Sequence, residues 1–509
     1  MGVSRKPPHS IDKVTMTNPK GPGRTRQMGL LSLSATGICS MIGASIYVVP
    51  FMIQRNVPGI GPYVLPAFLF AAIPAALAAF AYIVLSSAMP RAGGSYIYAS
   101  RAINPYIGFV ASFSQWFGLS IAIGVVAYVI VPFLRDVFSA LNLNELAALL
   151  DTGLVRLTLS LLILWTFVLI NIRGIKLYEK TLIPLMILMF GLGAIVIVAG
   201  LIFNHHDFAS ALLAKEGRTI PTTSADFNWS TFLAGAAILF SSFIGFDSIA
   251  QAGGEARNPS LLLPKAIGIA IITVTLFYIL FAYSLYHTVP WQFVAQEASK
   301  KDVTAPGLLS YVLPSGWAVF IVLGATIALI NDLPAMILSV SRLMFAWAED
   351  GIFPKKMAAI HRTHHTPHLA ICCSGLMATI GILGSHFAGD FFLGIDIMVT
   401  SMLVNYLLMG WSVLLLPKTN PILASDIAVF KSKRLQKTVS TLGVICITSF
   451  LVIHIAKDIN AAVKAWYFHS TPVWLLVMLT ASFIFWIYWR MLKKSGVNTK
   501  ELFSTLPAE

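Results

Sequence analysis

The segment Phe240-Ser241-Ser242-Phe243-Ile244-Gly245-Phe246-Asp247 sets two serines, a glycine and a carboxylate in the middle of an apolar run, Phe232 to Ala252. The run is long enough to cross a bilayer. An ionisable residue at membrane depth is costly and marks a functional site by default. Glycine and serine at the same depth let the backbone leave the helix and offer its own amides and carbonyls to a guest. A second segment has the same character: Gly37-Ile38-Cys39-Ser40-Met41-Ile42-Gly43-Ala44-Ser45-Ile46-Tyr47, followed by Pro50. An interrupted helix exposes amides and a positive dipole end on one half, which suit a carboxylate, and carbonyls on the other, which suit an ammonium. A zwitterionic amino acid carries both groups on one carbon. Two facing breaks therefore make an α-amino acid site without any charged side chain. Small residues also serve close packing between membrane helices. Two clusters in matching positions, one followed by an acid, favour the broken-helix reading.

The elements that must position these breaks are membrane spans. The chain has 509 residues, 57% hydrophobic and 11% charged, whereas soluble domains carry roughly 25% charged residues. Twelve apolar runs are expected to span, at 29–53, 63–88, 106–134, 154–172, 181–203, 230–252, 266–288, 314–346, 367–385, 391–416, 439–457 and 472–491. The fold class is all-α and integral to the membrane. The two interrupted spans are the first and the sixth, so spans 1–5 (29–203) and 6–10 (230–416) read as inverted repeats. An extracytoplasmic loop is expected over 204–229, two peripheral spans over 417–492, and cytoplasmic tails over 1–28 and 493–509.

The formal net charge is +14, and its placement decides its meaning. With the N-terminus placed in the cytoplasm, most Lys and Arg fall on the cytoplasmic side. They include the basic tail (Arg5, Lys6, Lys13, Lys20, Arg24, Arg26), Arg173/Lys176/Lys180, Lys355/Lys356 and Lys431/Lys433/Arg434/Lys437. This is the positive-inside rule; it puts both termini in the cytoplasm and makes the basicity a topology signal, not a nucleic-acid footprint. The first 28 residues lack the apolar core of a signal peptide. The four cysteines (Cys39, Cys372, Cys373, Cys446) lie within expected spans, so no disulfide framework is implied. No P-loop is present, which disfavours ATP-driven transport.

At the quoted residues the chain resembles the amino acid–polyamine–organocation transporter superfamily, from Gly29 to about Leu492. The first-helix motif, glycine-x-x-isoleucine-glycine-x-glycine-isoleucine-aromatic, is matched by Cys39-Ser40-Met41-Ile42-Gly43-Ala44-Ser45-Ile46-Tyr47, with Cys39 and Ser45 replacing two glycines. Ala88-Met89-Pro90-Arg91-Ala92-Gly93-Gly94-Ser95-Tyr96 is similar to the loop after span 2, and Asn171-Ile172-Arg173-Gly174-Ile175-Lys176 to the loop before span 5. Gly253-Gly254-Glu255-Ala256-Arg257-Asn258-Pro259, then Pro264-Lys265-Ala266, resembles the signature after span 6. Ser341-Arg342 with Glu349-Asp350-Gly351-Ile352-Phe353-Pro354 and Thr366-Pro367 resembles the loop after span 8.

The resemblance implies the leucine-transporter-like 5+5 inverted repeat and transport of amino acids, polyamines or related amines by proton-coupled uptake or exchange. It implies that amides near Gly43, Ala44 and Ser45, beside Ile42, hold the substrate carboxylate. Carbonyls near Met41, Ser241 and Ile244 would hold the amine, with Ser40, Ser242, Phe243 and Gly245 lining the site and Gln115 and Trp116 of span 3 facing it. In the family's arginine/agmatine exchangers an aromatic gate stands at the position of Ser241 and a proton-sensing glutamate at that of Asp247. Ser241 removes that stacking surface and argues against arginine.

Asp247 has two readings. An acid at this depth is suited to loading and releasing a proton, or it caps a half-helix as fixed architecture. Asp332, in Asn331-Asp332-Leu333-Pro334 of span 8, shares the choice between coupling and a hydrogen bond in a kinked helix. Some proton-driven relatives place a span-5 lysine near that spot; span 5 has none past Lys180. The departure favours exchange, or coupling through Asp247 or Asp332. Asp396 of span 10 is a third intramembrane acid. Glu255 and Arg257 are candidate inner-gate residues, with Arg91 or Arg342 as partners. The histidines between His361 and His368 lack an acid or cysteine to complete a metal site, and the expectation is no metal and no cofactor. The partners expected are a small amino acid or amine, a co-transported proton or counter-substrate, and the bilayer of a plasma or bacterial inner membrane. A sodium symporter, a polyamine carrier and a nutrient receptor without flux are the alternatives. An intramembrane enzyme is disfavoured, because Cys372-Cys373 and the isolated serines have no histidine base within their spans.

Overall fold

The computed structural model describes residues 26–43, 45–301, 303–388, 392–463 and 465–507. Ala44, the Ser45 side chain and the expected basic tail up to residue 25 lie outside the described residues. Twelve helices among the described residues are long and apolar enough to cross a membrane. They match the twelve expected runs, and the first and sixth are discontinuous. This is the all-α 5+5 architecture with two added helices.

In chain order the helices are α1 (Leu30–Met41), α2 (Ser45–Asn56), α3 (Val64–Ala88), α4 (Gly94–Ala102), α5 (Pro105–Ala140), α6 (Asn144–Leu150), α7 (Gly153–Ile172), α8 (Ile175–Ile202), α9 (His205–Glu216), α10 (Trp229–Phe240) and α11 (Ser248–Gln251). They continue with α12 (Pro259–Thr288), α13 (Trp291–Ala298), α14 (Ala305–Leu309), α15 (Ser315–Glu349), α16 (His368–Ala388), α17 (Phe392–Thr419), α18 (Pro421–Ser425), α19 (Lys433–Ile459), α20 (Ser470–Lys494) and α21 (Thr499–Leu502). Several run past the ends of their apolar cores. Hydropathy registers only the part in hydrocarbon, whereas caps such as the Asn104 side chain on the Ile107 amide and Ser432 on Leu435 start the helix in the polar flank.

Two packed groups organise the spans. One joins α5, α7, α15 and α16; the other joins α1, α3, α10 and α12, while α8 bridges α12 to α15 and α17 bridges α5 to α19. The breaks lie between the two groups. α1 closes with the Ile42 amide on the Ile38 carbonyl at 2.8 Å, and the Gly43 amide turns back to Met41 O at 3.1 Å. α10 tightens into a 3-10 turn at Ser241–Phe243; Ile244 is extended and Gly245 has φ +133°. A Cβ on Gly245 would collide with the Ser40 carbonyl. Only glycine lets the two interruptions touch in this way.

Candidate functional site

The two breaks form one polar locus. Ser40 Oγ and Ser248 Oγ share a hydrogen bond of 2.8 Å across them, beside the contact of Gly245 with Ser40. The Met41 carbonyl, freed where α1 stops, accepts from Tyr278 Oη at 2.5 Å. The Ser241 carbonyl accepts the Ile244 amide at 3.2 Å, which closes the 3-10 turn. Ser242 Oγ is buried and has no hydrogen-bond partner among the described residues. Phe243 is buried against Phe68 and Tyr278, with ring centroids 5.5 and 5.6 Å away. Gly43 faces Asp332: a Cβ built there would lie 3.1 Å from Asp332 Oδ2. Asp332 Oδ1 and the Oδ1 of neighbouring Asn331 are buried without partners among the described residues, while Asn331 Nδ2 donates to Cys39 Sγ at 2.8 Å.

Asp247 lies beyond Gly245 in a closed network. Tyr406 Oη donates to Asp247 Oδ1 at 2.7 Å, and Gln115 Nε2 donates to Oδ2. Gln115 Oε1 in turn accepts from Asn405 Nδ2 at 3.3 Å and Gln251 Nε2 at 3.4 Å. Asn405 also donates to Tyr82 Oη at 2.7 Å, and Gln251 donates to Ser95 Oγ at 2.8 Å. Tyr82 Oη and Ser95 Oγ share a bond of 2.6 Å that closes the loop. All seven side chains are fully buried. The network therefore pins the α10–α11 break to α3, α4, α5 and α17. A buried acid is tolerable when its oxygens accept hydrogen bonds, and the gain is larger for charged acceptors.

At the Glu255 end the spans are stitched together. The Glu255 carbonyl accepts the amides of Gln27 and Met28, both at 2.9 Å, and the Arg257 amide donates to Met28 O at 3.0 Å. Glu255 Oε1 is 2.8 Å from Arg342 Nε, and both side chains are buried. Arg257 is exposed. Arg101 forms a buried pair with Asp350 and donates to the Thr505 carbonyl at 3.1 Å, while Arg91 donates to Pro507 O at 3.0 Å. The segment after α20 is thus held against α4.

The structure brings Ser40, Met41, Ile42, Gly43, Ser241, Ser242, Phe243, Ile244 and Gly245 together, with Asp332 on the opposite wall. Gln115 joins Asp247. Trp116 is elsewhere: its Nε1 donates to Ser374 Oγ at 3.0 Å and its ring packs against Phe113 and Trp347, between α5, α15 and α16. Asp396 lies near His454, whose Nε2 contacts the Asp396 carbonyl at 3.3 Å. No group of three or more His, Cys, Asp or Glu poised to hold a metal occurs among the described residues. Sequence reading missed Tyr406, Asn405, Gln251, Tyr82, Ser95 and Tyr278. The adjacent Asn405-Tyr406 in an apolar span was the available signal; the others look like ordinary membrane-helix residues until the fold closes them on Asp247.

A family model described as Amino acid permease matches residues 28–483. The chain is similar to cationic amino acid transporter 4 of Mus musculus, 28% identical over 371 residues that cover 70% of this chain and 55% of that protein. It is 26% identical to the branched-chain amino acid permease BcaP of Bacillus subtilis (strain 168), over 71% of this chain and 74% of that one. A methylthioribose transporter of the same organism is also 26% identical, over 72% and 76%. The aligned part spans only a little more than half the length of the mouse relative.

Proposed function

Because the chain belongs to the amino acid permease family, within the amino acid–polyamine–organocation superfamily, we propose that it carries amino acids or related amines across a membrane by alternating access. The observation that supports this reading best is the contact of the two interruptions, Gly245 against the Ser40 carbonyl. It gathers the start of α2, with the unpaired amides that a helix N-terminus carries, and the carbonyl ends of α1 and α10 at one point. The substrate carboxylate goes to the start of α2 and its ammonium to the carbonyls of Met41, Ser241 and Ile244. Ser40, Ser242 and Phe243 line the site. Basic loops orient the protein with both ends of this chain in the cytoplasm.

Movement between the two packed groups has to loosen what joins them. The Asp247 network joins α10–α11 to α5 and α17, and its strongest bonds require an ionised carboxylate. Protonating Asp247 weakens the donations from Gln115 and Tyr406, which makes it a suitable coupling residue for proton-linked uptake or exchange. The Glu255–Arg342 pair acts as the inner gate. Proteoliposome uptake of radiolabelled amino acids and amines tests the proposal, run with and without a proton gradient, sodium and internal substrate. Saturable uptake that responds to a proton gradient or to internal substrate is expected. Uptake of none of the panel contradicts transport, and binding without flux supports a receptor.

A further inference from the structure

Asp332 sits against the first break from the opposite wall. A side-chain carbon on Gly43 would come within 3.1 Å of Asp332 Oδ2, so the carboxylate faces the glycine across the space a methyl group would fill. Asp332 is 8% exposed, and its Oδ1 has no hydrogen-bond partner among the described residues. Beside it, the buried Asn331 Oδ1 is another acceptor without a donor. This wall therefore offers acceptors near the place where α2 begins, and the first amides of a helix have no partner within the helix and attract an anion. An ionised Asp332 is one such anion, and the carboxylate of an amino acid is another. Two carboxylates at one spot cannot both be ionised at small cost.

We propose that Asp332 makes amino acid binding conditional on a proton: an amino acid binds with Asp332 protonated, and an amine lacking the α-carboxylate binds with Asp332 ionised. The inference rests on the placement of the substrate carboxylate proposed above. In the first case the proton on Asp332 crosses with the amino acid. In the second the ammonium pairs with the carboxylate and no proton accompanies it. The ionisable groups about Asp332 are few. Cys39 faces it from α1, and Asp247, next to α11, is held by Tyr406 and Gln115. On α8 the ionisable side chains stop at Lys180, and on α7 Arg156 is the only charge. The charges of α5 are Arg135 and Asp136 near its end, paired with each other at 2.7 Å, and that of α4 is Arg101, paired with Asp350. α16 carries Cys372, Cys373 and its terminal histidines, His368 and His386.

The test measures binding to the purified full chain across pH, using two pairs, leucine with 3-methylbutylamine and lysine with cadaverine. As pH rises through the titration of Asp332, amino acid affinity is expected to fall about tenfold per pH unit while amine affinity does not fall. In Asp332→Asn, amino acid affinity should become independent of pH between about pH 5 and 9, and amine affinity should drop at least about tenfold, the loss of one charge-assisted contact. Asp247→Asn should keep the difference between amino acid and amine. The proposal is overturned if wild-type amino acid and amine affinities fall together, or if the slope survives in Asp332→Asn. Should that variant not fold, the wild-type pairs still decide. A wild type that binds neither class refutes the transport reading itself, which is a separate result.

Discussion

Gly245→Ala is the most informative single perturbation of the site. Gly245 has φ +133°, and the added methyl would strike the Ser40 carbonyl, which is backbone and has no rotamer to escape into. Backbone strain at such a position costs about 1–3 kcal/mol, and overpacking a tight contact adds about 1–3 kcal/mol, so the substitution should destabilise by about 2–6 kcal/mol. The protein can lessen this only by moving α1 away from the α10–α11 break, which separates the two halves of the site. Two readouts follow: a melting temperature lower by several degrees in detergent, and substrate affinity weakened at least about tenfold, equivalent to 1.4 kcal/mol of lost alignment. Gly43→Ala is the matched control. Its methyl meets Asp332 Oδ2, a side-chain atom, at 3.1 Å. That carboxylate can give by a few tenths of an ångström, so stability should fall by about 1 kcal/mol or less while binding still changes. A Gly245→Ala protein with wild-type melting and affinity would refute the idea that the facing breaks form the site.

Other consequences are equally concrete. Tyr406→Phe removes a donor to Asp247 Oδ1 and should cost about 1.5–3 kcal/mol; it should also shift the pH profile of transport, whereas a purely structural tyrosine would change melting alone. Arg342→Met leaves Glu255 buried and unpaired and should destabilise by about 3–5 kcal/mol, with much of the loss restored in Glu255→Gln/Arg342→Met; denaturant unfolding of both variants checks it. Between α9 and α14, burial raises the Glu297 carboxyl, but hydrogen bonds and charge from Arg218 and Lys301 outweigh it and hold Glu297 below the usual carboxylate range. The cluster's stabilisation, about 1 kcal/mol or less per pair, is therefore present above the ordinary glutamate range and lost as pH falls through the lowered value. Melting measured against pH should show that loss, and Arg218→Ala should reduce it to the part that Lys301 supplies. Deleting the chain from Thr499 onward removes the carbonyl acceptors of Arg91 and Arg101, so amide exchange across 91–103 should accelerate; unchanged exchange would mean the segment does not brace α4.

The twelve spans and their two interruptions were legible because hydropathy and the Gly/Ser clusters act locally: they report which backbone can stay helical in hydrocarbon. Asp247 was legible for the same reason, as a charge where charge is costly. Apart from Gln115, its partners were not. Gln251, Asn405, Tyr406, Tyr82 and Ser95 come from four elements, and each is unremarkable alone; only packing closes them with Gln115 into the network. Trp116 illustrates the opposite limit. It adjoins Gln115 in sequence, but one residue turns it by about 100° around the helix, toward Ser374 and Trp347 instead of the break. Asp332 was visible as an acid in span 8, while its contact with Gly43 depends on how α15 crosses α1, which no local pattern encodes.

Electron cryomicroscopy of the full chain with a saturating transported amino acid would test most directly where the substrate sits. The expected result is density between Gly43 and Ser241–Gly245, with its carboxylate at the start of α2 and its ammonium toward the carbonyls of Met41, Ser241 and Ile244. Density at any other location, with the space between the two breaks filled by protein, would contradict it.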